Sequence, residues 1–347
     1  MNFKIATAPH VVHGPPVARI MRQVIYALIP GTLAMSWFFG PGVLINIAIA
    51  SAAALVSEAA MLKLRRRDPL VPLSDGSAVV CAWLLALALP PLAPWWLPAV
   101  GAVFAIVIAK QLFGGIGYNI FNPAMAGYCA LIVSFPVEMT RWLPPRGLPA
   151  ESMGFLETLF FSFNGQLPAG FSWDAITQAT PLDRMTTELS MMHTMEEIRA
   201  SPLWGSLGGR GWEWAANGYL LGGLWLAYRR IIDWRIPTAV IGSLLAMASA
   251  YYFADPDTHP FPAFHLFSGG AMLGAFFIAT DPVSASTTPL GRWIYGAGIG
   301  VLIFILRSFG AYPDGVAFAV LLMNAAVPLI DRYTVPRPFG HRRGKRA

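Results

Sequence analysis

The sequence predicts an all-α polytopic membrane protein with about ten transmembrane helices, in two halves of about five helices around one extracytoplasmic insert. Of the 347 residues, 56% are hydrophobic and only 12% are charged, whereas about 25% of residues are charged in soluble domains. Apolar runs of near-spanning length flank a long polar segment, residues 137–213. Several runs are short and interrupted by Gly or Pro, which is typical of discontinuous helices in inverted repeats. Two inverted repeats are therefore predicted.

Composition divides the chain into successive segments. A polar arm precedes the first apolar run, and a basic tail follows the last one. The predicted segments are a cytoplasmic arm at 1–22, a first membrane half at 23–136, the insert at 137–213, a second membrane half at 214–331 and a cytoplasmic tail at 332–347.

In the first half, breaks in the apolar runs set the predicted helix ends. A basic run, Arg65–Arg67, follows the second helix, and Pro90-Pro91 ends the third. Trp95 and Trp96 form an aromatic pair of the kind found at membrane interfaces. The predicted helices of this half are 23–40, 42–63, 78–89, 97–112 and 124–136.

The second half has a similar series of runs, several of them shorter than a spanning helix requires. The predicted helices are 214–228, 236–253, 264–279, 293–309 and 316–330. Asp75–Trp83 resembles Ser268–Phe276, but the identities are confined to Gly and Ala, so chance similarity remains the alternative to a repeat.

The basic residues predict the orientation. Most of the 24 Lys and Arg residues fall on one side if the helices alternate in direction, and an excess of Lys and Arg marks the cytoplasmic side. Both termini are therefore predicted to be cytoplasmic and the insert to lie outside. The net charge of +6 has this explanation, so no nucleic-acid partner is predicted. Cys81 and Cys129 are too few to hold an iron–sulfur cluster alone.

A Gly-rich stretch, Phe113–Pro123, follows the fourth helix. Its glycines permit positive φ angles and close backbone approach, and its asparagines need partners in an apolar setting. A re-entrant turn that satisfies its own backbone and a loop that lines a ligand site are equally compatible with this pattern. The counterpart in the second half is Thr280–Arg292, which contains Asp281. The residues in question are Gly114, Gly115, Gly117, Asn119 and Asn122.

Thr180, in the insert, has two interpretations. Thr180-Pro-Leu-Asp183 fits a helix N-cap with proline at the first helical position and an acid at the third. The same position would suit a phosphate group, because free N–H groups at a helix N-terminus bind anions. The pattern alone favours the cap.

Three motifs together resemble the RnfD/NqrB family of integral membrane subunits of ion-pumping electron-transport complexes. They read Lys110-x-x-Phe-Gly-Gly-x-Gly-x-Asn-x-Phe-Asn-Pro-Ala-Met, Asp174-x-x-Thr-x-Ala-Thr180, and Thr280-Asp-Pro-Val-Ser-Ala followed by Gly291-Arg292. The resemblance covers essentially the whole chain and is greater to the RnfD branch.

The resemblance implies covalent FMN, joined to Thr180 by a phosphoester bond that a separate flavin transferase makes. Asp174, Thr177 and Ala179 are then the recognition positions of the modified motif. Gln178 stands where the family motif has glycine, and this departure leaves the acceptor in place.

The resemblance further implies a subunit of a complex in a bacterial inner membrane that relays electrons between ferredoxin and NAD and moves ions. Its expected partners include a second flavin-bearing subunit, iron–sulfur subunits and lipid. By analogy, a second flavin, riboflavin, is bound without a covalent link in the membrane part. Its candidate contacts are Lys110, Gly114, Gly115, Gly117, Asn119 and Asn122.

A stand-alone transporter or channel for a small polar solute is the competing interpretation, since inverted repeats with broken helices also build such proteins. Only the Asp174–Thr180 motif separates the two, because a solute channel has no need of it.

Overall fold

The computed structural model describes residues 16–148, 153–168, 170–310, 312 and 314–336. Within these ranges the chain forms helices and loops and contains isolated β-bridges but no extended strand. The predicted all-α class is confirmed. Most of the predicted N-terminal arm, and residues 337–347 of the basic tail, lie outside the described residues.

The helices of the first half follow the predicted apolar runs closely. They are α1 (Val17–Phe39), α2 (Gly42–Leu64), α3 (Leu70–Leu73), α4 (Ser77–Ala88), α5 (Trp96–Val103), a π-helix π1 (Phe104–Gln111) and α6 (Pro123–Ser134).

Short helices make up the segment that precedes the second half, and four long and three short helices make up the half itself. The former are α7 (Pro136–Met139), α8 (Phe155–Asn164), α9 (Trp173–Ile176), α10 (Pro181–Ser190) and α11 (Met195–Arg199). The latter are α12 (Trp212–Tyr228), α13 (Arg235–Ala254), α14 (Pro262–Phe267), α15 (Ala271–Leu273), a second π-helix π2 (Gly274–Ile278), α16 (Pro289–Phe309) and α17 (Val316–Thr334).

In the described part, four helices are long and apolar enough to cross a membrane, judged by length and composition. They are α2, α13, α16 and α17. Shorter apolar helices, α4, α5 with π1, and α6, lie between α2 and the insert. The protein is therefore polytopic, while the count of about ten spanning segments stays a prediction.

Four predicted helices differ from the structure by more than two residues at one end or in continuity. The helix predicted at 293–309 begins at Pro289, and the one predicted at 316–330 ends at Thr334. The first helix begins at Val17 rather than at 23, because the residues after Pro16 are compatible with a helix and contain no breaker. The predicted helix at 264–279 is divided between α14, α15 and π2. The break contains Gly269, whose φ is +65°, and a β-carbon there would lie 2.6 Å from a carboxylate oxygen of Asp314.

The two halves share one apolar core. Their first helices, α1 and α12, pack closely because small residues let the backbones approach, as is usual between membrane helices. A β-carbon on Gly222 of α12 would overlap the carbonyl oxygen of Ala27. The ring of Tyr219 occupies the space beside Gly31.

Contacts define two ends of the helix bundle. At the insert end, the backbone N–H of Arg146 donates to the carbonyl of Phe38 at the end of α1. At the opposite end, here called the loop end, Arg65 after α2 bonds to the carbonyl of Gln111, and Arg292 of α16 pairs with Asp233 before α13. The Gly-rich stretch that follows π1 belongs to the loop end.

Candidate functional site

Thr180 is the N-cap of α10, as its sequence context predicts. Its backbone is extended (φ −64°, ψ 158°), which is the conformation favoured before proline. The backbone N–H of Asp183 donates to the Thr180 hydroxyl oxygen at 3.2 Å. The Thr180 hydroxyl in turn donates to the Asp183 carboxylate at 2.9 Å. The hydroxyl proton therefore points at a carboxylate.

The predicted recognition positions lie just upstream of this cap. Asp174 is in α9. The Thr177 hydroxyl donates to the Trp173 carbonyl at 2.7 Å, so it is engaged within its own turn. Ala179 is exposed. The backbone N–H of Gln178 donates to the Trp142 carbonyl at 2.9 Å, which fixes the motif against the loop that follows α7.

An apolar cavity of about 80 Å³ opens beside Thr180. It lies at the insert end of the bundle, between α4, α6 and the region where α15 and α17 begin. The residues that line it include Leu87, Met125, Tyr128, Ile132, Met139, Trp142, Thr180, Leu182, Asp183, Trp212, Leu273 and Asp314. Two of its indole rings, Trp142 and Trp212, lie 4.8 Å apart. The lining is therefore aromatic and apolar, with its carboxylates close to Thr180.

Asp314 carries one of those carboxylates and is held by two elements. The buried Arg307 guanidinium donates to it at 3.0 Å, and the backbone N–H of Gly270 donates to it at 2.6 Å. Arg307 and Asp314 thus pair across the turn between α16 and α17.

The carboxyl of Asp183 is electrostatically unusual. Burial raises its pKa above the ordinary value, hydrogen bonds with Thr180 oppose that rise, and the negative charge of Asp314 adds to it. Asp183 is thus a stronger proton acceptor, once ionised, than an exposed aspartate.

At the loop end, the Gly-rich stretch turns sharply after π1. All three of its predicted glycines have positive φ angles, namely Gly114 at +128°, Gly115 at +102° and Gly117 at +90°. A β-carbon on Gly115 would meet only the Gln111 side chain at 3.7 Å, and one on Gly117 would meet nothing within 4 Å. These two glycines are therefore required by the backbone angle and not by a close neighbour.

The two asparagines of this stretch have partners from the second half. Asn119 donates to the Asp281 carboxylate at 3.5 Å. Asn122 donates from its side chain to the Ile278 carbonyl at 3.2 Å, and its backbone N–H donates to Asn324 at 3.0 Å. The predicted counterpart segment at Asp281 therefore contacts the Gly-rich stretch directly.

Lys110, the residue before the last one of π1, lies in a buried polar cluster. Its ammonium group donates to Glu58 at 2.6 Å and to Ser77 at 2.7 Å. Gln111 donates to the same Glu58 oxygen at 2.8 Å. Lys110 thus has a charge partner on α2. No pattern in the sequence identifies Glu58 as that partner.

A second cavity, of about 430 Å³, lies beside this cluster, within the size range of small-molecule sites. It brings together four of the predicted loop residues, whereas Gly114 and Gly115 do not line it. Its lining includes Lys110, Gly117, Asn119, Asn122, Ser77, Cys81, Phe276, Phe277, Thr280 and Asp281. No group of three or more His, Cys, Asp or Glu residues suited to a metal occurs in the described part of the chain.

Sequence reasoning misses several residues around Thr180. Trp142 and Trp212 lie near the two ends of the insert in sequence and are typical of interfacial aromatics, while Asp314 belongs to a distant turn. Only the folded arrangement of α12, α15 and α17 brings them to one cavity, so no local signal identifies them.

Comparison with known proteins gives a consistent result. The sequence model of the NQR2, RnfD, RnfE family matches residues 4–340. A protein of Escherichia coli O127:H6, described as a subunit of an ion-translocating oxidoreductase complex, is 49% identical over 352 aligned positions, covering 99% of this chain and 100% of that protein. A protein of Shigella dysenteriae serotype 1 with the same description is 48% identical, with the same coverage.

Proposed function

Because the chain belongs to the NQR2, RnfD, RnfE family, we propose that it carries FMN on Thr180 and relays electrons through that flavin. The chain is a membrane subunit of an Rnf-type electron-transport complex, and it is part of an oxidoreductase and not a catalyst alone. The finer proposal is that the complex passes electrons between ferredoxin and NAD and couples this transfer to ion movement.

One observation carries the proposal for Thr180: its hydroxyl donates to a carboxylate at 2.9 Å. The other threonine of the motif, Thr177, donates to a carbonyl, which cannot accept the proton when the oxygen becomes a nucleophile. A positioned carboxylate can accept it, as general bases do. The arrangement favours Thr180 as the acceptor.

The surroundings of Thr180 fit a flavin phosphate ester. The ester oxygen would remain at the N-terminus of α10, and the negative charge of the phosphate would lie on its other oxygens near that terminus, where anions are stabilised by up to about 1 kcal/mol at exposed sites. The cavity beside it is smaller than a flavin ring, so its aromatic lining could receive only an edge of the ring unless side chains move. Trp142, Trp212 and Tyr128 would provide apolar contact there. When bound, FMN supplies one- and two-electron transfer.

For the second flavin we propose the larger cavity at the loop end. Asn119, Asn122 and Lys110 lie in its wall, where the ammonium group of Lys110 is paired with Glu58. A planar apolar ring with a polar edge suits a cavity of this lining. The other subunits of the complex, including a second flavin-bearing subunit and iron–sulfur subunits, would supply and remove the electrons.

The competing transporter interpretation has no support among the relatives, since those described above are named as subunits of an oxidoreductase complex. We place the protein in a bacterial inner membrane, with its termini in the cytoplasm and the insert in the periplasm. The direction follows from the basic residues at the loop end.

The test of the proposal is flavin fluorescence of the denatured chain after expression with a flavin transferase. Thr180→Ala should abolish the fluorescent band, and loss of the band in Thr177→Ala but not in Thr180→Ala would move the acceptor to Thr177. Thr194→Ala is the matched control, because Thr194 caps α11 in the same insert in the same way. Flavin retained by Thr180→Ala would refute the assignment. If the chain has the second flavin site, acid-extractable riboflavin should persist in the Thr180→Ala variant.

A further inference from the structure

Helix α8, Phe155–Asn164, presents an apolar face away from the protein. The side chains of Phe155, Leu156, Phe160 and Phe163 are between 54% and 76% exposed. At 100° per residue these four positions fall on one side of the helix. Large exposed apolar patches of this kind mark interaction surfaces.

The opposite face of α8 is the one that packs against the protein, and it contains two hydroxyl side chains. Thr158 and Ser162 are at most 2% exposed. Each donates to the carbonyl four residues earlier, at 2.8 Å and 2.9 Å, so neither requires water. The distribution is the reverse of that of a helix on a water-soluble protein.

Contacts with spanning elements fix the depth of α8 relative to the membrane. The backbone N–H of Trp95 donates to the Ser162 carbonyl at 2.8 Å, directly before α5 begins. A β-carbon on Gly42, the first residue of α2, would lie 3.3 Å from Thr158. Since α2 is long and apolar enough to span a membrane, α8 lies where spanning helices begin. Trp95, half-exposed beside it, is an interfacial type of residue.

We propose that α8 lies in the outer lipid interface of the membrane, with its four exposed apolar side chains among the acyl chains. The occupant of this face is lipid because the face continues the apolar surface of the bundle, where Leu44 of α2 and Trp37 of α1 are also exposed. The exposed apolar arc contains no charged residue. Glu157 lies at its edge and caps the helix through the N–H of Gly154.

The position of α8 in the lipid interface affects the position of Thr180. On its protein side, Phe161 of α8 contacts the Trp173 ring edge-on, with centroids 5.4 Å apart, and Arg141 lies over the same indole at 4.2 Å. Trp173 begins α9, and the motif that ends at Thr180 follows. A helix fixed in the lipid interface therefore holds this motif at a set height above the membrane.

The test uses spin labels on cysteines placed in a background with Cys81→Ala and Cys129→Ala, reconstituted with the other subunits in lipid nanodiscs. Labels at Leu156→Cys and Phe160→Cys should be several-fold more accessible to oxygen than to a water-soluble nickel chelate. A label at Met192→Cys, whose native side chain in the same insert is 90% exposed, should show the reverse.

Nickel access at 156 and 160 would place α8 in water. Shielding from both reagents would mean that another subunit covers it. Either result overturns the proposal.

A second measurement requires no substitution. A lipid-soluble diazirine, photolysed with the native complex in vesicles, should label the peptide that contains 155–164 and leave the peptide around Met192 unlabelled. Equal labelling of the two, or none in 155–164, would contradict the lipid location even if the cysteine variants fail to fold.

Discussion

Thr180 and Asp183 donate hydrogen bonds to each other, and the two bonds have different consequences. The N–H of Asp183 donates to the hydroxyl oxygen and caps α10, whereas the hydroxyl donates its proton to the carboxylate. Only the second bond must break when an ester forms at that oxygen. Asp183 is therefore part of the cap, and under the proposal it is also the group that accepts the Thr180 proton.

We predict that Asp183→Asn slows the attachment of FMN to Thr180. The amide oxygen still accepts a hydrogen bond but is a far weaker base, and general bases contribute about 10²- to 10⁴-fold. Some of that factor is expected to be lost in a time course with purified transferase. Glu197→Gln is the matched control, because Glu197 is the corresponding acid in the cap of α11. An unchanged rate in Asp183→Asn, or equal slowing in both variants, would contradict this role.

The same pair predicts a dependence on pH. Burial and the charge of Asp314 raise the pKa of Asp183, so as the pH falls its carboxylate is protonated earlier than an ordinary aspartate, whose pKa is about 3.9. The attachment rate should decline on acidification with a midpoint above that value, and Asp183→Asn should lack this limb. Comparing the two proteins separates this effect from titration of the transferase.

At this scale the sequence alone predicts the helix cap that Thr180 forms, because the cap depends on residues within four positions of one another. It is insufficient for Asp314 and Trp212, whose proximity depends on how the second half returns to the insert end. It also cannot choose the partner of Lys110, since Glu58 is far away in sequence and no local period links them.

Among the elements, the Gly-rich turn after π1 allows backbone strain to be separated from packing. Gly117 has a φ of +90°, and a β-carbon on it would meet no atom within 4 Å. We predict that Gly117→Ala destabilises the protein by about 1 kcal/mol through its backbone angle alone. Thermal unfolding in detergent should show a lower transition temperature.

The control for that substitution is Gly242→Ala. Gly242 lies within α13, its β-carbon would also meet nothing within 4 Å, and its φ is in the ordinary range. Alanine there should be neutral or stabilising, by up to about 1 kcal/mol. A decrease of the same size in both variants would show that the turn angle is not the cause.

Helix positions were predictable from apolar runs, but two element features were not. The second π-helix is entirely apolar and the first has polar residues only at its end, Lys110 and Gln111, so the sequence gives little sign of a change of period. Helix α8 is a ten-residue helix, too short to suggest a membrane segment, so the whole insert reads as aqueous. Its amphipathic arrangement becomes informative only once the buried face is known.

For the molecule as a whole, the contacts place Thr180 and most of the basic loops at opposite ends of the bundle. Reporter fusions after Arg67 and after Glu188 should therefore report opposite compartments, with the Arg67 fusion cytoplasmic. The physical reason is the retention of Lys and Arg on the cytoplasmic side during insertion. Alkaline phosphatase and green fluorescent protein fusions at both positions measure it, and the same compartment for both would contradict the orientation.

The all-α class is predictable from composition and apolar runs, whereas the division into two membrane parts around an insert is a prediction from the order of those runs. The relation of the halves as inverted repeats stays a prediction, because the similarity of Asp75–Trp83 to Ser268–Phe276 is slight. What the sequence could not indicate is that the first helices of the halves pack on each other, since such packing depends on small residues spread over both.

The bonds of Asn122 also have a consequence for biogenesis. Its N–H meets Asn324 across 202 positions, and its side chain meets the Ile278 carbonyl across 156. A ribosome that has made only the first half has not yet synthesised either partner, and an unpaired amide in an apolar surrounding is costly. The first half therefore stays unfinished until the last helix leaves the translocon, and the membrane must tolerate a polar, incompletely folded intermediate for most of the time that synthesis takes.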